Sequence, residues 1–99
     1  RADLAKPGAD GRTPAYDAAN QGQAEALRLL AEARADLNAP EKTYGQTPAY
    51  IAACYSQVDA LKVLAEARAD LDAAEEHGQT PAYIAACYSQ VDALKVLAE

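Results

Sequence analysis

The chain has 99 residues with a composition 51% hydrophobic and 24% charged, enough for one folded domain with a modest core and too apolar for a disordered segment. A formal charge of −6, with basic residues scattered among more numerous acids, weighs against a nucleic-acid partner, because phosphate binding depends on Lys and Arg displacing counterions. No apolar run approaches the ~20 residues that span a bilayer, and the N-terminus lacks the basic stretch and apolar core of a signal peptide, so membrane insertion is not expected.

About a quarter of the chain is Ala, while Phe, Trp and Met are absent. That composition suits slender, closely packed helices. In chain order, "RADL" opens at Arg1 and "TPAY" at Thr13; both return, at Arg34 and Thr47 and again at Arg68 and Thr80, in steps of 33 or 34 residues. The string from Gly45 to Glu66 is identical to that from Gly78 to Glu99. The odd residue falls in "NAPEKTYGQ" (Asn38 to Gln46) against "DAAEEHGQ" (Asp72 to Gln79), which marks a loop insertion. Three units result, approximately 5–37, 38–71 and 72–99.

Each unit predicts two helices. Thr13, Thr47 and Thr80 can cap a first helix, with Pro14, Pro48 and Pro81 at its first position, where a missing N–H costs nothing. That helix ends near Tyr55 or Tyr88, after which Ser56 or Ser89 is expected to cap a second helix with Asp59 or Asp92 three residues on. Val58, Leu61 and Leu64 share one face of the second helix, with Val63 beside them, and Asp59, Lys62 and Glu66 fall elsewhere. A turn-rich stretch then leads to the next Thr-Pro. One such helix pair cannot bury its apolar face alone, and stacking like on like allows one packing surface to be reused, which gives the exact repetition a physical reason.

The 33-residue period, the Thr-Pro opening, the "AA" pair, the paired apolar end of helix two and "AD" with "NA" or "DA" before a Gly together resemble the ankyrin repeat. The resemblance covers essentially the whole chain. It implies an all-α solenoid of stacked helix-turn-helix units joined by β-hairpin-like loops, acting as a non-catalytic protein-protein interaction module or scaffold. "RADL" at Arg1 matches the tail of a preceding unit and Glu99 falls inside a second helix, so a longer array is expected, with residues around Leu94 and Leu97 facing no successor.

The pattern departs from the family at three kinds of position. "TPAY" stands for the family's "TPLH", and Tyr16, Tyr50 and Tyr83 are expected to fill the inter-repeat seams with their hydroxyls bonded. Ser56 and Ser89 replace a Gly that Gly22 retains. Arg1, Arg34 and Arg68 replace another Gly, where the left-handed backbone costs a non-Gly residue ~1 kcal/mol; they form either a solvated face or a ladder for a partner carboxylate.

Chemical constellations are sparse. His77 lies in a loop beside Glu75 and Glu76, read as flexible and solvent-facing rather than as a metal site, and neither a phosphate-binding loop nor a nucleophile with a partnered base is present. No cofactor is expected. Cys54 and Cys87 occupy equivalent positions in adjacent units, ~8–10 Å apart in packed helices, beyond the ~7 Å between Cα atoms that a disulfide allows. Free thiols, and with them a reducing, intracellular setting, are therefore expected.

The resemblance also implies where a partner binds, since ankyrin repeats meet partners on the concave side through loop tips and the exposed end of helix one. By position, that surface comprises Asp10, Arg12, Asn20 and Gln21; Thr43, Tyr44, Gln46, Cys54 and Tyr55; and Glu76, His77, Gln79, Cys87 and Tyr88. Tyr55 and Tyr88 stand in line with Tyr44 nearby, either as interface anchors or lying flat on their own helices. Two other functions fit the same fold: a structural subunit embedded in a larger complex, or a regulatory array of a larger enzyme or channel.

Overall fold

In the computed structural model, each Thr-Pro marker starts a helix. The structure describes residues 4, 6–8 and 10–99; the "RADL" arginine at Arg1 lies outside them. The described residues form six α-helices and no strand: α1 (Pro14–Asn20), α2 (Ala24–Glu32), α3 (Pro48–Cys54), α4 (Val58–Glu66), α5 (Pro81–Cys87) and α6 (Val91–Ala98). The Thr13, Thr47 and Thr80 hydroxyls accept from the amides of Tyr16, Tyr50 and Tyr83, each at 3.1 Å. Such caps contribute ~1 kcal/mol each.

The first helix of each unit packs on that of the next, α1 on α3 and α3 on α5, while the second helices stack as α2, α4 and α6 behind them. The result is a two-layered stack measuring 40 × 25 × 19 Å. Alanine makes the close approach possible: Ala19, Ala52, Ala53 and Ala85 are fully buried where the first helices meet the rest of the stack. Leu27, Leu61 and Leu64 fill the space between the layers and are also fully buried, each worth ~1.5–3 kcal/mol in transfer free energy.

Helix ends follow one rule. After α1 to α5, one residue takes the left-handed conformation: Gly22 (φ 71°), Arg34 (63°), Ser56 (55°), Arg68 (62°) and Ser89 (54°). Its amide and the next one bond back into the last turn; Ser56 donates to the Ala53 carbonyl and Gln57 to that of Ala52, a Schellman ending. This corrects the expected role of Ser56 and Ser89. They close the first helix and do not cap the second, whose N-caps are Gln57 and Gln90, without a side-chain capping bond. The connection is too short for one residue to do both, so Asp59 and Asp92 have no capping box to complete. The two glutamines instead reach across the seam, where Gln57 Nε2 donates to the Asn20 carbonyl at 2.9 Å and Gln90 Nε2 to that of Cys54 at 3.0 Å.

The loops between units are hairpin-like turns closed by Gly8 N–H to Arg12 O, Glu41 N–H to Gln46 O and Glu75 N–H to Gln79 O. The second spans one residue more than the others, which places the insertion read from the sequence. Loop two also joins loop three, the Glu76 amide donating to the Tyr44 carbonyl at 2.9 Å.

Candidate functional site

The first helices and the three loops enclose a groove of about 560 Å³ along the stack. Its floor is built from the seam tyrosines. Tyr16 and Tyr50 are buried, and their hydroxyls donate to Gln46 Oε1 at 2.9 Å and Gln79 Oε1 at 3.0 Å, so each ring reaches into the loop of the following unit. Burial pushes both phenols up to about 12, with the Glu41 carboxylate adding to the effect on Tyr16 and Glu75 to that on Tyr50. Arg12 lies over the Tyr16 ring, 5.3 Å from its centre, and pairs loosely with Asp10 at 3.5 Å and Asp17 at 3.9 Å. Tyr83, the third seam tyrosine, is 52% exposed because no unit stacks on its side here.

Two carboxylates shape the walls. Glu41 is buried and accepts from the amides of Thr43 (2.7 Å), Tyr44 and Gln46 (both 2.9 Å). Glu75 is likewise buried and accepts from His77 at 2.8 Å and Gln79 at 2.9 Å. The expectation of a flexible carboxylate at Glu75 is therefore corrected: it organises the loop, because several amide donors converge where the chain turns over it. His77 is exposed as expected. Loop one has Gly8 at the corresponding position, and its Asp10 accepts from the Arg12 amide at 3.1 Å.

Most of the residues anticipated for the concave surface line this groove: Asp10, Arg12, Asn20, Thr43, Tyr44, Gln46, Cys54, Tyr55, His77, Gln79 and Tyr88. Gln21, Glu76 and Cys87 are exposed but do not line it. Tyr44, Tyr55 and Tyr88 are 54%, 59% and 60% exposed. Glu41, Glu75, Tyr16, Tyr50, Ile51 and Ile84 complete the lining and were not assigned to the binding surface from the sequence. A signal existed for the acids, since Glu41 and Glu75 begin the two loops that end in "GQTP".

Both cysteines are free thiols; Cys54 is half-buried, which pushes its thiol up, and Cys87 is exposed. Arg34 and Arg68 lie away from the groove with Asp36 and Asn38 nearby. At that edge the Asn38 side chain accepts from the Asp70 amide at 2.7 Å, another bond between units.

A family described as "Ankyrin repeats (3 copies)" matches residues 2–75 and, in a second register, 18–99. The chain belongs to the ankyrin repeat family, whose units are in general non-catalytic protein-protein interaction modules. No curated protein matches it closely enough to supply a named relative. No helix among the described residues is long and apolar enough to cross a membrane.

Proposed function

We propose that the chain is a protein-binding module or scaffold, without catalysis of its own, which receives its partner in the concave groove. The observation that carries this reading is the exposure of Tyr44, Tyr55 and Tyr88 around one groove whose polar groups are already ordered by Glu41 and Glu75. Exposed aromatic rings on a rigid, hydrogen-bonded base have the makeup of interface anchors. Free thiols at Cys54 and Cys87 support placing the protein in a reducing, intracellular compartment.

The test uses a photo-crosslinking residue at Thr43 or His77, on the groove, and at Glu32 or Lys62, on the opposite layer. Crosslinks to a partner should form from the groove positions and disappear when Tyr55→Ala and Tyr88→Ala are combined. Capture from Glu32 or Lys62 that ignores the tyrosines would move the binding surface elsewhere. A second reading, a structural subunit covered by neighbours, draws on Leu29, Tyr83 and Val91, which are exposed on the end faces. It requires the isolated chain to self-associate in light scattering, and a monodisperse monomer would remove it.

A further inference from the structure

Resting on the reading of the groove as the partner surface, we infer that its occupant is a proline-rich, basic segment bound as a polyproline II helix along the stack. The groove is a ladder with regular rungs. Tyr55 and Tyr88 occupy the same position after α3 and α5, and Gln46 and Gln79 the same position in their loops. The first helices pack side by side, which sets the rung spacing at ~8–10 Å. A polyproline II helix rises ~3.1 Å per residue with three residues per turn, so residues i and i+3 present one face ~9.3 Å apart. A β-strand misses this register, because its side chains alternate and same-face residues recur at ~6.6–6.8 Å. An α-helix can match the spacing with residues i and i+7, ~10.5 Å apart, but its interior carbonyls are already bonded within the helix.

That difference selects between the two helices, because the groove repeats hydrogen-bond donors at the same interval. The bonds from Tyr16 to Gln46 Oε1 and from Tyr50 to Gln79 Oε1 fix the accepting end of each amide. Each Nε2 is thereby the end left for a ligand, and no hydrogen bond among the described residues uses it. A polyproline II backbone makes no internal hydrogen bonds, so its carbonyls are available to these donors. Its ring faces pack well on exposed aromatic side chains. The basic flanks follow from the charge of −6 and from Glu41 and Glu75 in the groove, where the cation Arg12 is matched by Asp10. Two rungs ~8–10 Å apart take residues i and i+3 of the segment, and about ten residues leave room for basic flanks on either side.

The experiment titrates the chain with three Lys-flanked peptides of about ten residues: polyproline, an amphipathic helix former with apolar residues seven apart, and an alternating strand former. Amide chemical shifts and tyrosine fluorescence are the readouts. Polyproline alone should saturate, with shifts confined to α3, α5 and the loops at 41–46 and 75–79. Tyr55→Ala and Tyr88→Ala should each weaken it about tenfold or more, with the helical circular dichroism unchanged. Gln79→Glu keeps an acceptor for Tyr50 and removes the donor, and at high salt, where its charge is screened, it should weaken binding about fivefold. Saturation by the helical or strand peptide instead, sensitive to the same tyrosines, overturns the polyproline assignment and leaves the groove as the partner surface. Polyproline binding indifferent to Tyr55→Ala and Tyr88→Ala overturns the inference, and so does a null result with all three peptides, which also counts against the groove as a peptide surface.

Discussion

Arg34 and Arg68 hold the left-handed backbone that their family usually assigns to Gly. The strain is ~1 kcal/mol per residue, partly offset by a cation beside a helix C-terminus. Arg34→Gly and Arg68→Gly are each expected to stabilise the chain by up to about 1 kcal/mol in urea unfolding. A loss of stability would mean that the guanidinium contacts outweigh the strain. The seam tyrosines make a pH prediction. Tyr16 and Tyr50 ionise at about 12 in the folded chain against 10.0 for an unperturbed phenol. Between those values the unfolded chain releases protons that the folded chain retains, so this stabilisation is whole below the unfolded value and is lost as pH rises through the folded one. Absorbance titration should show Tyr16 and Tyr50 ionising late among the six tyrosines, and the urea midpoint should fall as pH climbs above 10.0. Six phenols titrating together near 10.0 in the folded state would contradict the burial described.

At the scale of the element, the loops at 41–46 and 75–79 are each held by a single carboxylate. Removing Glu75 leaves the His77 and Gln79 amides without their acceptor, and an unmet buried donor costs ~1–3 kcal/mol. Glu75→Ala should therefore destabilise the chain by about 2 kcal/mol, and Glu75→Gln, which keeps one acceptor oxygen, by less. Equal losses in chemical denaturation would show that charge, not acceptor geometry, holds the turn. Glu75 was not legible as a loop organiser from its neighbours alone, because in "EEHGQ" nothing local distinguishes it, buried, from Glu76, which is exposed; only the loop-opening position it shares with Glu41 marks it. Ser56 and Ser89 were misread for a related reason. Serine is favoured both as an N-cap and, less often, in tight turns, and only the path of the chain between α3 and α4 assigns it to the end of one helix rather than the start of the next.

The whole molecule is a set of seams, each made by a tyrosine hydroxyl, a glutamine amide and a layer of alanines. Leu94 and Leu97 were expected to lack cover in unit three, and both are only partly buried where their counterparts Leu61 and Leu64 are fully buried; Tyr83 and Val91 are more exposed still. The stacking side of a unit is therefore set by its first helix together with the apolar face of its second. Appending one more unit of the Gly78–Glu99 type, with the intervening "ARADLDAAEEH" loop, should bury Tyr83, give its hydroxyl a glutamine acceptor and raise the melting temperature. A melting temperature unchanged by the added unit would show that the seam contributes nothing to stability.

The sequence by itself determined the period, the six helices and the Thr caps with their prolines, because each of these depends on residues close in the chain or on exact repetition, while the left-handed arginines and the groove positions were what the ankyrin resemblance implied. The tertiary structure decided what repetition cannot express. Gly45–Glu66 and Gly78–Glu99 are the same string, yet Tyr50 is 4% exposed and Tyr83 52%, and Ala53 is buried where Ala86 is not. Local sequence is identical in the two, so the difference arises entirely from what stacks against each unit. The same holds for the floor of the groove, where Tyr16 meets Gln46 across 30 residues and Tyr50 meets Gln79 across 29. Burial and hydrogen bonding at these sites belong to pairs of units, and only the folded stack brings the members of each pair together.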